Sequence, residues 1–208
     1  MAAKAIRHAD DLASAMAHLR RDESLAPLLD RVGTISTKPN PAPSPLHSLA
    51  EAITGQQLNG KAAQAIFGRF LALYGGCLSA NAILETTEEK LRSVGLSAAK
   101  ALAIRDLAEK ANNGHVPTWA LLRRMDDEAI VKQLTQIRGI GRWTVEMMLI
   151  FCLGRPDVWP VDDFAIKKAY GQLFGIAGPK PTEMKTRAET WRPWRSVVAR
   201  YLWRSLDI

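Results

Sequence analysis

Two short stretches carry residues whose types and spacing could do chemistry. In Leu134–Trp143, LTQIRGIGRW, Gly139 and Gly141 flank Ile140 just before a long apolar segment. Two glycines around one apolar residue let the backbone turn tightly and leave unhindered N–H groups at a helix start. Unpaired donors and the positive end of the helix dipole attract a phosphate there, and Arg142 adds a cation. The same GxG also serves as a plain helix–helix turn with no ligand. The second stretch is Trp159–Lys168, WPVDDFAIKK, with adjacent carboxylates at Asp162 and Asp163. A carboxylate fixed at a helix start is favoured as the anion. It can stabilise a developing positive charge and orient or deprotonate a water. Aspartate is also a preferred helix cap, and spacing alone favours that role. The two roles are compatible.

The elements that must position these residues read as helices throughout, for apolar residues recur at helical spacing and strand signals are scarce. Segments with this character are Asp11–Arg21, Ser24–Val32, Leu46–Thr54, Lys61–Tyr74, Thr86–Val94, Ser97–Asn112 and Asp126–Ile137. Thr86 with Glu89 three residues on has the interval of a capping box. From Arg142 to about Leu153 almost no polar face remains, which predicts a helix through the centre of a domain, closed by Gly154 before Pro156. The final helix is expected over Pro193–Ser205, with proline in its first turn. Pro39, Pro41, Pro43 and Pro45 make Thr34–Pro45 an irregular connector. An all-α chain of about ten helices follows.

Composition narrows the setting. Of 208 residues 47% are hydrophobic and 24% charged, ordinary for a globular protein with a sizeable core. The net charge of +7 favours a polyanionic partner. Residues 164–208 hold nine Lys or Arg against three Asp or Glu. Cys77 and Cys152 have no metal-ligand spacing, and Cys152 reads as a small core residue. His8, His18, His47 and His115 fall at no catalytic spacing. Met1–Arg21 lacks the apolar run of a secretory signal, and no stretch reaches transmembrane length. An intracellular, reduced setting is expected, cytoplasmic or at the nucleoid in a bacterium.

The pattern L-x-x-I-x-G-I-G-x-W-T at Leu134–Thr144, followed by P-V-D-D-x-x-I-K-K at Pro160–Lys168, resembles the helix–hairpin–helix DNA glycosylases with a catalytic aspartate. Within them it is most similar to the alkylbase (3-methyladenine) DNA glycosylases. AITGQQ at Ala52–Gln57, LRSVGL at Leu91–Leu96 and WRPWR at Trp191–Arg195 fit the same family, so the resemblance spans about Leu46–Trp203. It implies two helical lobes with a DNA-binding cleft between them. Residues 46–133 would form the central lobe and 134–153 the helix–hairpin–helix. Residues 154–208 would complete a terminal lobe, against which an N-terminal segment, 1–45, packs. The N-terminal β domain of longer relatives would be missing.

The resemblance also implies roles. Asp163 would be the catalytic aspartate, since Ile166 and Lys167 follow at the family interval. Trp143 stands where strand-cutting relatives carry a nucleophilic lysine, so a monofunctional enzyme is expected. Trp143, Met147 and Trp203 would line the pocket of the extruded base, electron-rich rings suiting a cationic alkylpurine. Met147 replaces a residue that is aromatic in some relatives. Gln57, with Gln56 beside it, would fill the gap in the duplex. Gly139, Ile140, Gly141, Arg142 and Thr144 would bind DNA, by its phosphates and not by sequence. Carbonyls of Thr135, Ile137 and Ile140 match positions that hold a monovalent Na⁺ or K⁺ ion. No cofactor is otherwise required, and no iron–sulfur cluster is expected, because neither cysteine follows position 152. Duplex DNA containing alkylated bases would be the partner of a monomer. Two other readings stay open: a glycosylase for neutral lesions such as uracil, hypoxanthine or etheno adducts, and a non-enzymatic DNA-binding module.

Overall fold

The structure, a computed structural model, describes residues 9–208, and every regular element among them is a helix. His8 and the first eight residues of the N-terminal segment lie outside the described residues. In chain order the helices are α1 (Ala9–Leu19), α2 (Ala26–Val32), α3 (Pro45–Gly55), α4 (Gly60–Ala72), α5 (Ala80–Glu85), α6 (Glu88–Ser93), α7 (Ala98–Asn112), α8 (Trp119–Leu122), α9 (Asp127–Leu134), α10 (Arg142–Met147), α11 (Phe164–Phe174), α12 (Pro181–Ala188) and α13 (Arg195–Ser205). None of them is long and apolar enough to cross a membrane. The chain divides into two compact units. Unit 1 is Pro41–Val145, and unit 2 joins residues 9–40 to Glu146–Ile208.

Short polar side chains start most helices of unit 1. Ser44, Asn59, Ser79, Thr87, Ser97, Thr118 and Asp126 each accept a backbone N–H of the first turn. Each such cap is worth about 1 kcal/mol. Helix α3 packs on α4 and α7, and α5 on α7. Leu49, Ile53, Phe70, Ile83, Ile104 and Leu107 are wholly buried there, each contributing about 1.5–3 kcal/mol by leaving water.

Unit 2 builds a different core. Leu19, Leu25, Leu28 and Leu29 from the N-terminal helices pack with Ile166, Tyr170, Trp191, Val198, Tyr201 and Leu202. Trp191 meets Trp159 edge-on at 5.2 Å and donates its Nε1–H to Asp22 at 2.8 Å. The end of α2 is fastened to α13, since Tyr201 donates to the Gly33 carbonyl at 2.9 Å.

Several expectations need correcting. Helices α5, α8 and α12 lie in stretches too short, or in the last case too polar, to show apolar periodicity. Helix α6 begins after Thr87, whose hydroxyl accepts the Lys90 N–H, while Thr86 closes α5; the expected capping box does not form. Pro193 is not in a helical first turn. A 3₁₀ turn ends at Trp191, and α13 starts only after the non-helical Trp194. The apolar helix from Arg142 stays α-helical to Met147 and then widens into a π turn, Met148–Cys152, where Leu153 N–H reaches Met148 O at 3.0 Å. It is not buried all round: Trp143 is 47% and Phe151 38% exposed, and Cys152 is only half-buried. An apolar sequence tells which side chains avoid water, not which faces a neighbour covers. Gly154 closes the segment in the left-handed conformation, with Arg155 N–H on Leu149 O at 2.9 Å.

Candidate active site

In unit 1 the glycine turn is held from three directions. Ile140 N–H donates to Ile137 O at 3.0 Å, with both side chains buried, and Gly139 between them has φ +79°. That backbone favours glycine, and a Cβ there would press on Ala103 at 3.4 Å. Arg138 N–H donates to the Asp106 carboxylate at 2.7 Å, and the Gln56 amide to Gly139 O at 2.7 Å. Burial would raise the Asp106 carboxyl, but hydrogen bonds from Lys110 and from Arg138 N–H outweigh it and hold the group below its usual range. Gly141 differs. Its φ is not in the left-handed region, and a Cβ there would meet nothing within 4 Å. Nothing among the described residues requires glycine at 141, so its open side leaves room for an outside group.

The neighbours of this turn are placed unequally. Arg142 makes a bidentate pair with Glu128 at 2.8 and 2.6 Å. Those bonds, with burial opposing, keep Glu128 below the usual carboxylate range. Thr144 is only 8% exposed. It therefore offers DNA little surface. Gln56 is half-buried and Gln57 exposed. The carbonyls of Thr135 and Ile137 lie in the descending turn after α9, and Ile137 O already accepts one N–H.

In unit 2 Asp163 caps α11. Its Oδ1 accepts Ile166 N–H at 2.8 Å and the Trp203 indole N–H at 3.0 Å, and the residue is 8% exposed. Asp162 points to solvent and pairs with Lys167 at 3.6 Å. Of the two adjacent aspartates, only Asp163 is both buried and fixed. Trp203 stacks obliquely on Phe151, ring centroids 5.4 Å apart. Arg200 lies 4.5 Å over the Phe151 ring and donates to Ile150 O at 2.9 Å. The π turn that releases this carbonyl also offers Phe151 O to Asn40 N–H at 2.9 Å. Burial lowers the Arg200 guanidinium from its ordinary value. A depression of about 370 Å³ opens here, lined by Phe151, Trp203, Arg200 and connector residues 34–36.

Sequence reasoning named Trp143, Met147 and Trp203 for a pocket. Trp143 belongs to unit 1, exposed on α10, whereas Met147 and Trp203 belong to unit 2. It did not name Phe151, Arg200 or the residues that set the loop before Asp163. Asp157 takes Arg192 at 2.7 Å and Arg195 at 2.6 Å, and Ser196 Oγ accepts Val158 N–H at 2.9 Å. The WRPWR stretch thus clamps the strand of chain leading into Asp163 onto α13, which carries Trp203. Among the described residues no three His, Cys, Asp or Glu side chains converge to hold a metal.

Comparison with known proteins gives concordant matches. Residues 50–196 match the family described as HhH-GPD superfamily base excision DNA repair protein. The chain is 40% identical over 166 residues to DNA-3-methyladenine glycosylase 1 of Schizosaccharomyces pombe, covering 77% of this chain and 72% of that one. The solved structure of an S. pombe 3-methyladenine DNA glycosylase in complex with abasic DNA superposes with a TM-score of 0.82 at 36% identity, over 94% of this chain and 97% of that one. A DNA-3-methyladenine glycosidase from Bacillus halodurans superposes with a TM-score of 0.81 at 32% identity, over 90% and 86% of the two chains.

Proposed function

The chain belongs to the HhH-GPD superfamily of base excision DNA repair proteins, and we propose that within it the chain is a monofunctional DNA glycosylase for alkylated purines. The observation that carries this reading is Asp163, a buried carboxylate whose Oδ1 is held by a backbone N–H and by an indole. A 3- or 7-alkylated purine is already cationic. When its bond to C1′ breaks, the base takes the bonding pair and departs neutral, so no acid need protonate it. Positive charge develops on the sugar instead. A fixed anion stabilises that charge, and a water that attacks C1′ passes its proton to the carboxylate or to solvent.

The other parts follow from chemistry already described. Gly139 and Gly141 present backbone N–H groups to a DNA phosphate, and the open side of Gly141 admits it. In unit 2 Met147, Trp203 and Phe151 supply polarisable apolar surface for a cationic base, and in unit 1 Trp143 exposes an indole. Trp143 puts an indole where strand-cutting relatives place an amine, so the product is an intact abasic site. The oxygens of Thr135, Ile137 and Ile140 suit a hard monovalent cation, which would brace the hairpin and take no part in bond breaking. The enzyme acts as an intracellular monomer on duplex DNA.

The test uses methylated duplex DNA without added metal. Chromatography should find free 3-methyladenine or 7-methylguanine, and the strand should stay whole until alkali cuts it. Release of uracil or hypoxanthine in place of alkylpurines would move the assignment to neutral lesions. A covalent adduct trapped by borohydride would overturn the monofunctional reading.

A further inference from the structure

The turn that leaves α3 breaks a local rule. Leu58 N–H donates to Gly55 O at 3.2 Å, closing a four-residue turn. Gln56 has φ −53° and ψ 135°, and Gln57 has φ 60°. These are the angles of a type II turn, whose third position calls for glycine because φ is positive there. Among the described residues Gln57 is the single non-glycine residue with such a φ. A long, exposed amide side chain occupies a position where glycine would relax the backbone. Strain of this kind persists only where the surroundings over-determine it, and it gathers at functional sites.

What over-determines it is visible. A type II turn differs from type I in the orientation of its central peptide, here the Gln56 carbonyl and the Gln57 N–H. Lys100, from the first turn of α7, places its ammonium 2.8 Å from that carbonyl and 2.8 Å from Thr54 O. The ammonium thereby holds the flipped peptide. Gln56 then spends its own side chain on Gly139 O at 2.7 Å. That oxygen belongs to the second tight turn, the one at the hairpin. So Gln56 is engaged inward, and its neighbour is the amide presented outward.

We propose that Lys100 and Gln56 are positioning residues that hold Gln57 in its left-handed pose and clasp it to the hairpin. The side chain offered to the duplex and the grip on the phosphate then move as one body. This rests on the glycosylase reading for its biological use, but the geometry can be tested without base release.

The probe is a duplex with a tetrahydrofuran abasic analogue and 2-aminopurine opposite the gap, whose fluorescence changes when a side chain enters. Wild-type protein should give a saturable change, and Gln57→Ala should lose most of it. Gln56→Met, which keeps bulk but removes one donor, should weaken the signal about fivefold, the worth of one hydrogen bond, and Lys100→Met, which loses two, should weaken it at least as much. Added to Gln57→Ala, neither should cost more than about a further twofold, because residues acting through one group do not add. Two variants guard against one folding poorly. Wild-type signals in both Met variants, or losses that add fully to Gln57→Ala, would overturn the clasp, as would no signal from wild type. A wild-type signal without base release from methylated DNA would remove the glycosylase assignment and leave the clasp standing.

Discussion

The proposed function gives Asp163 two jobs, cap and catalytic anion, and two substitutions separate them. Asparagine keeps an Oδ1 in the same place, able to accept from Ile166 N–H and the Trp203 indole. As a helix cap it is about as good as aspartate. Asp163→Asn should therefore fold with a stability change of less than about 1 kcal/mol. Alanine removes the acceptor. The cap is worth about 1 kcal/mol. The indole N–H of the half-buried Trp203, left without this acceptor, costs about another 1–3 kcal/mol. Asp163→Ala should thus lose about 2–4 kcal/mol in urea unfolding. Turnover should behave differently. A carboxylate about 4 Å from a developing unit charge, at an effective dielectric near 20, stabilises it by about 4 kcal/mol. Both variants should then lose roughly a thousandfold in single-turnover release of 7-methylguanine. Base release by Asp163→Asn within tenfold of wild type, from a protein of normal stability, would refute the reasoning.

Other perturbations give different signs. Glu128→Gln loosens the bidentate hold on Arg142, so affinity for undamaged duplex should rise a few-fold in fluorescence anisotropy and its salt slope should steepen. Arg195→Met removes the guanidinium from Asp157; denaturant unfolding should show a loss of about 1–3 kcal/mol, and base release should fall with it. For pH, the Asp106 carboxyl titrates lower in the fold than in the unfolded chain. Its stabilising contribution is therefore complete above about pH 4 and is lost as pH falls through the lower folded value. Asp106→Asn should flatten that acid limb in unfolding curves, and an unchanged limb would show that the hairpin does not depend on this carboxylate.

Much of the fold was legible because helical periodicity and caps are local signals. Ser97 with the fifteen-residue helix it starts is read directly, and so is Asp163 as a cap. The short α5 and α8 are too brief for a period to declare itself, and the polar α12 buries only Met184 and Ala188, too few apolar positions to show a stripe. The residue types of the candidate site stand out in the sequence, whereas the contacts that support them do not. Gln56 meets Gly139 across 83 positions, and Trp203 meets Asp163 across 40. Nothing in one chain says which of two adjacent glutamines turns inward. The π turn has no local signature either: MLIFC at Met148–Cys152 would suit an α-helix equally well, and what marks it is the destination of the carbonyls it releases.

The division of the chain has a consequence for its birth on the ribosome. Unit 1 is one continuous stretch, whereas unit 2 needs its first residues, 9–40, and its last, Glu146–Ile208. At about 5–20 residues per second, unit 1 can consolidate while the N-terminal helices wait several seconds for their partners. Leu19, Leu28 and Leu29, buried in the finished protein, stay uncovered during that interval. The nascent chain thus acquires its hairpin first and its aspartate last, and the early leucines are where a chaperone would have most to hold.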